Sequence, residues 1–151
     1  MHPSAERKPA TTVEALKVPP HSIEAEQAVI GGLMLAPEAW ERIADRINED
    51  DFYRRDHRLI FRAIQTLSEK DQPCDAITLG EWFAAQNLGD QVGGMAYVIE
   101  LANSTPSAAN IVAYADIVRE RSVLRQLIDT VTEIAGDAYQ PEGRGSQELL
   151  E

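Results

Sequence analysis

The sequence predicts an all-α fold, a small helical bundle with one long projecting helix, on three observations. Apolar residues recur at helical spacing along most of the chain. No segment sustains the period-two alternation of a half-buried strand, so no sheet is placed. After Pro106 no proline occurs until Pro141, and Gly136 is the only glycine before Tyr139. Within that run Ile111, Ala115, Val118, Leu124, Ile128, Val131 and Ala135 recur at intervals of three, four or six. A continuous helix over 107–139 would reach ~50 Å at 1.5 Å per residue. The rest of the chain makes a body only about 25–30 Å across. A helix that outruns its body must bury its apolar stripe on something else, most simply a partner.

The elements follow in order. Residues 1–20 read as a disordered lead-in ending in Pro19-Pro20. Ser22 is suited to cap a first helix, with Glu24 and Glu26 in the turn where the helix dipole favours acids. Ile23, Ile30, Leu33 and Met34 mark its apolar face. Gly31-Gly32 either weakens this helix or lets another backbone come close. Pro37 suits the first turn of a second helix, whose stripe is Trp40, Ile43, Ala44 and Ile47. After the polar break at 48–51, Phe52-Tyr53 reads as a core plug. The third helix opens near Arg55–Asp56 and carries Leu59, Ile60, Phe61, Ala63, Ile64 and Leu67; Asp71-Gln72-Pro73 ends it.

Thr78-Leu79-Gly80-Glu81 has the form of a capping box, with Ile77 and Trp82 at the positions of a hydrophobic staple, so a fourth helix is expected from Thr78. A loop over 87–94 precedes a short helix through Tyr97, Val98 and Leu101. Thr105 is expected to cap the long helix, with Pro106 its first residue. The expected divisions are a tail at 1–20, a globule at 21–104, the long helix at 105–139, and at 140–151 a turn and the start of a return helix capped by Ser146. A chain stopping there reads as a fragment of a longer protein.

The net charge of −11 disfavours nucleic-acid binding by this piece alone, because such a surface repels phosphate. Two arginine groups stand out: Arg54, Arg55, Arg58 and Arg62, then Arg119, Arg121 and Arg125. They read as solvated helix faces or, more sharply, as docking surfaces for an acidic partner or a neighbouring subunit. No apolar run is long enough to span a bilayer and no signal peptide opens the chain, so a cytosolic location is the default. The single cysteine, Cys74, excludes an internal disulfide and a multi-cysteine zinc site, and reads as an inert thiol.

No P-loop, nucleophile elbow or His-Glu-x-x-His occurs, so no catalytic, cofactor-binding or metal residues are assigned. His2, His21 and His57 are too scattered in sequence to suggest a metal cluster. His57 reads as a capping or solvent-facing residue, and Asp50-Asp51 as a solvated loop. Trp40, Trp82, Phe52 and Phe61 read as core.

The segment Pro19-Pro20-His21-Ser22-Ile23-Glu24-Ala25-Glu26-Gln27-Ala28-Val29-Ile30-Gly31-Gly32 resembles the opening of bacterial replicative DNA helicases of the DnaB family. Further matches follow in family order: Asp51-Phe52-Tyr53, His57-Arg58-Leu59-Ile60-Phe61, Pro73-Cys74-Asp75, Thr78-Leu79, Gly93-Gly94-Met95-Ala96-Tyr97, Thr105-Pro106-Ser107-Ala108-Ala109-Asn110 and Ala115-Asp116-Ile117-Val118-Arg119-Glu120-Arg121. Cys74 departs from the aliphatic residue usual there.

The resemblance implies the N-terminal domain of such a helicase: a helical globule with a protruding hairpin, paired hairpins arranging six subunits as a trimer of dimers. It implies a collar that receives the primase C-terminal domain and in some bacteria a helicase loader. The ATP- and Mg-dependent motor lies downstream in that family, so no cofactor is expected here. On this reading Leu124, Leu127, Ile128, Val131 and Ile134 would meet a second hairpin. The rival assignment is a helicase-binding helical domain of primase, whose bundle is similar, but the order of the matches argues against it.

Overall fold

A computed structural model describes residues 17–140 and Leu150. Among these are six α-helices, three 3₁₀ turns and no strand. The helices are α1 (Ile23–Leu35), α2 (Trp40–Ile43), α3 (Arg55–Glu69), α4 (Ala76–Ala85), α5 (Gly94–Ser104) and α6 (Ile111–Tyr139). The 3₁₀ turns are Pro37–Ala39, Glu49–Asp51 and Gly89–Val92. The chain is therefore all-α. The expected tail before Lys17 and the expected Ser146 cap lie outside the described residues.

Helix α1 is the central element, packing on α3, α5 and α6. Ser22 caps it, its side chain accepting from the Ala25 N–H. Val29, Ile30 and Leu33 are fully buried, as are Ile43, Ile60, Phe61, Ile64 and Leu79 from the helices around them. Phe52 and Phe61 lie at the centre with ring centroids 4.9 Å apart, and Trp40 reaches Phe61 from the half-exposed edge at 5.5 Å. Gly31 shows why the glycine pair is there. A Cβ at Gly31 would overlap Thr105 Oγ1 and come within 2.7 Å of the Leu101 carbonyl, so α5 ends directly against the α1 backbone. Cys74 is buried, its Sγ–H directed at the Leu33 carbonyl at 3.3 Å, and burial pushes its thiol pKa up.

Four elements depart from the sequence expectation. Helix α4 starts at Ala76, not Thr78, because Asp75 is its cap and accepts from the Thr78 N–H at 2.9 Å. Thr78 is the third helical residue, and its hydroxyl bonds back to the Asp75 carboxylate. A carboxylate acceptor is charge-assisted and outcompetes the hydroxyl. The Ile77–Trp82 staple does not form: Ile77 is 74% exposed, while Trp82 packs edge-on to Phe83 and Glu81 faces solvent.

Helix α2 ends at Ile43, so Ala44 is exposed, although Ile47 returns to the core. The loop at 87–94 contains the 3₁₀ turn Gly89–Val92. Finally, α6 starts at Ile111, not at Pro106. The residue before a proline is driven from helical to extended backbone, and Thr105 sits at φ −99°, ψ 112°. Its hydroxyl instead donates to the Leu101 carbonyl, closing α5, while Ser107 Oγ captures the Ala109 N–H in a local turn.

Replacing Asp75 by Ala should cost ~1 kcal/mol of unfolding free energy, and Thr78→Ala less, measured as urea midpoints. The Thr78 hydrogen bonds hold the Asp75 carboxyl below the usual carboxylate range. Its stabilisation is therefore present above the ordinary carboxylate pKa and lost as pH falls through the depressed folded value. Asp75→Asn should flatten that acid limb. Gly31→Ala should destabilise by about 1–3 kcal/mol through overpacking, read from the same transition.

Candidate functional site

The feature that can act on another molecule is α6. Its 29 residues extend for about 43 Å. Ile111, Ala115, Val118 and Ser122 are its buried residues, spaced four, three and four apart along one face. Among the described residues none after Ser122 is buried. Leu127 is 58% exposed and Val131 56%, and Val123, Leu124, Ile128 and Ile134 are exposed beside them. The structure thus places all five sequence-predicted interface residues, Leu124, Leu127, Ile128, Val131 and Ile134, on the arm, none of them buried by the globule.

The root of the arm is fixed by a buried carboxylate. Asp51 is only 2% exposed. Its Oδ1 accepts from Arg119 Nη1 at 2.9 Å and from Ser122 Oγ at 2.8 Å, both on α6. Its Oδ2 accepts from the Asn48 N–H at 2.9 Å, completing a capping box over the turn Glu49–Asp51. One turn further out, the Arg125 guanidinium donates to the Asp51 carbonyl and to the Pro20 carbonyl, each at 2.7 Å. The same guanidinium lies over the Tyr53 ring at 5.4 Å, and His21 stacks on that ring at 4.2 Å. Arg46, after α2, pairs with Asp116 at 3.1 Å. Two loops and the segment before α1 therefore grip the arm where it leaves the body.

Asp51 thus does not sit in a solvated loop, and most of the arginines of the two groups, though several are solvent-exposed, also bind partners within the domain. Arg58 donates to the Phe52 and Tyr53 carbonyls, Arg62 pairs with Glu49, and Arg54 with Asp56. His57 does not face solvent either; it is fully buried. Its Nδ1 lies 2.8 Å from Glu26 Oε1 and its Nε2 2.6 Å from the Tyr97 hydroxyl. Glu26 also accepts from the Tyr53 N–H at 2.7 Å. A carboxylate only accepts, so Nδ1 carries a proton, and in the neutral ring Nε2 accepts from Tyr97. Spacing held the signal. Glu26 falls on the face of Val29, Ile30 and Leu33, and His57 on the face of Ile60, Phe61 and Ile64.

Among the described residues no group of three or more His, Cys, Asp and Glu is placed to hold a metal ion, and no helix is long and apolar enough to cross a membrane. The geometry provides an anchored mount and an exposed apolar arm.

Comparison with known proteins decides the family. The family model of the DnaB-like helicase N terminal domain matches residues 18–120. The chain belongs to this family. It is 48% identical over 136 residues to the replicative DNA helicase DnaB of Haemophilus influenzae, covering 90% of this chain and 29% of that protein. It is 45% identical over 123 residues to the replicative DNA helicase DnaC of Bacillus subtilis, covering 82% of this chain and 27% of that protein. The chain thus spans about three-tenths of the length of the curated relatives it matches. The crystal structure of the N-terminal domain of DnaB helicase from Mycobacterium tuberculosis superposes with TM-score 0.83 at 34% identity, covering 87% of this chain and 92% of that one. A structure of a DnaB-like replicative helicase and its interactions with primase matches with TM-score 0.65 at 26% identity, covering 83% of this chain and 30% of that one.

Truncating Asp51 to Ala should cost about 2–3 kcal/mol, since it strands Ser122 and the Asn48 N–H while Arg119 can turn to water. Ser122→Ala should cost about 1 kcal/mol. Hydrogen exchange should show the Asp51 loss concentrated at residues 119–128; uniform loss over the globule would contradict the mount.

Proposed function

We propose that this domain is the N-terminal collar element of a replicative DNA helicase, and that its arm pairs with the arm of a second copy. The observation that carries the reading is the stripe of Leu124, Leu127, Ile128, Val131 and Ile134, exposed on a helix whose root is locked to the globule. In the whole helicase, such pairs would build a trimer of dimers, and the collar would receive the C-terminal domain of primase and in some bacteria a loader. Support for primase comes from the likeness to a helicase described with its primase interactions. ATP, Mg and 5′–3′ unwinding would belong to a motor elsewhere in the parent protein, at the replisome in the bacterial cytoplasm; this domain would itself catalyse nothing. The rival assignment, a helicase-binding domain of primase, is disfavoured because the matched family and the relatives above are helicases.

Burying three or four stripe residues yields about 1.5–3 kcal/mol each, from which association and ordering costs are subtracted. Weak, concentration-dependent dimers of the 151-residue chain are therefore expected by light scattering. Leu127→Asp with Val131→Asp should abolish them and leave the globule's thermal transition in place, because its core ends at Ser122. Unchanged dimerisation in that variant would locate the interface elsewhere and remove the arm from the proposal.

A further inference from the structure

A second apolar surface lies on the globule, in the shallow groove between α4 and α5. Ile77, Gly80, Glu81 and Ala84 line it from α4 at intervals of three, one and three, and Met95 lines it from α5. Ile99 continues the α5 side one turn on and is also exposed. Gly80 shapes the floor: a Cβ there would overlap Met95 Sδ and lie 2.8 Å from its Cε, so the thioether rests on bare backbone. Met is a side chain that adapts to an incoming surface. Ile77 is the most exposed large apolar residue of the globule, and nothing in the folding of α4 requires it, since Asp75 makes the cap.

Charge says what covers this groove. Between Lys70 and Arg119 the sequence has no Lys or Arg, but has Asp71, Asp75, Glu81, Asp90, Glu100 and Asp116. Glu81, the carboxylate that lines the groove, is exposed and makes no ion pair among the described residues. The nearby arginines are turned to other contacts: Arg54 pairs with Asp56 and lies over the Tyr97 ring, and Arg55 reaches Gln91 at 3.5 Å. The arm of a second copy is a poor occupant. Its outer half carries Asp129, Glu133 and Asp137, and its single cation, Arg125, is held by the Pro20 and Asp51 carbonyls.

We propose that the α4–α5 groove docks an amphipathic helix from a partner protein, its apolar face flanked by Lys and Arg. This is the helix-in-groove mode, with apolar anchors seated on Ile77, Ala84 and Met95 and a basic flank against Glu81. The surface is separate from the arm and does not rest on arm pairing.

The test uses the 151-residue chain with methyl-labelled Met and a synthetic helical peptide of about 18 residues, or five turns. The peptide carries Leu at i, i+3, i+4 and i+7 with Lys flanks; a second has the same Leu face with Glu flanks. The Lys peptide should shift the Met95 methyl signal and leave the buried Met34 signal in place. The Glu peptide should bind at least about tenfold more weakly. Ile77→Ala with Ile99→Ala should weaken the Lys peptide by about tenfold, and Glu81→Gln should flatten its salt dependence. All these residues are exposed, so folding should be unaffected, which circular dichroism checks. Equal binding of the two peptides, undiminished binding by the double variant, or binding that leaves the Met95 signal unmoved would each overturn the proposal.

Discussion

The Asp51 carboxylate is the contact on which the shape of this domain depends. A helix of 29 residues has no intrinsic reason to leave a globule at a fixed angle. Apolar burial ends at Val118, and packing alone would let the outer turns fray or swing. Asp51 and Arg125 extend the hold on the helix to residue 125 by putting directional hydrogen bonds where apolar contact runs out. Asp51 engages residues 119 and 122, and its own carbonyl engages 125, so three points along one helical face are held. Because Asp51 also closes the capping box with Asn48, its position is fixed from the globule side as well as from the arm. The arm is oriented by the body, not by its tip.

Glu26, His57 and Tyr97 play the matching part inside the globule. They join α1, α3 and α5, the three helices on which the arm's root and the α4–α5 face are built. No buried side-chain polar atom among the described residues lacks a hydrogen-bond partner. A polar cluster satisfied in this way fixes one arrangement of the helices, where apolar packing alone would tolerate several. Gly31 serves the same end by a different route, since only a missing side chain lets α5 end on α1.

What the sequence made legible follows from the range of each interaction. The helices, the Ser22 cap, the glycine pair and the apolar core were readable because each depends on neighbours three or four residues away. The family was readable from ordered local motifs. Asp51 was misread as solvated because its decisive partners lie 68 and 71 residues further along the chain. Locally, Asn48-Glu49-Asp50-Asp51 is only a polar run. His57 and Glu26, by contrast, carried a local signal. Each occupies a core position of a helical stripe, where a polar residue implies a buried partner. The start of α4 was misplaced for a third reason: two valid caps lie three residues apart, and the stronger acceptor prevailed.

The distribution of charge follows from the same economy of cations. Fourteen basic residues stand against twenty-five acidic ones in the whole chain. Within the described part, Arg46, Arg54, Arg58, Arg62, Arg119 and Arg125 are committed to carboxylates or backbone carbonyls. An ion pair cancels one charge of each sign, so the excess of acids over bases persists in what an approaching molecule meets. That asymmetry repels phosphate and disfavours nucleic acid as a direct ligand of this domain. It also separates the two apolar surfaces by partner. In the proposed arm pairing the stripe would meet its like, as two-fold symmetry between copies demands. The occupant proposed for the α4–α5 groove is a chain of opposite charge, because Glu81 lines it and no Lys or Arg does.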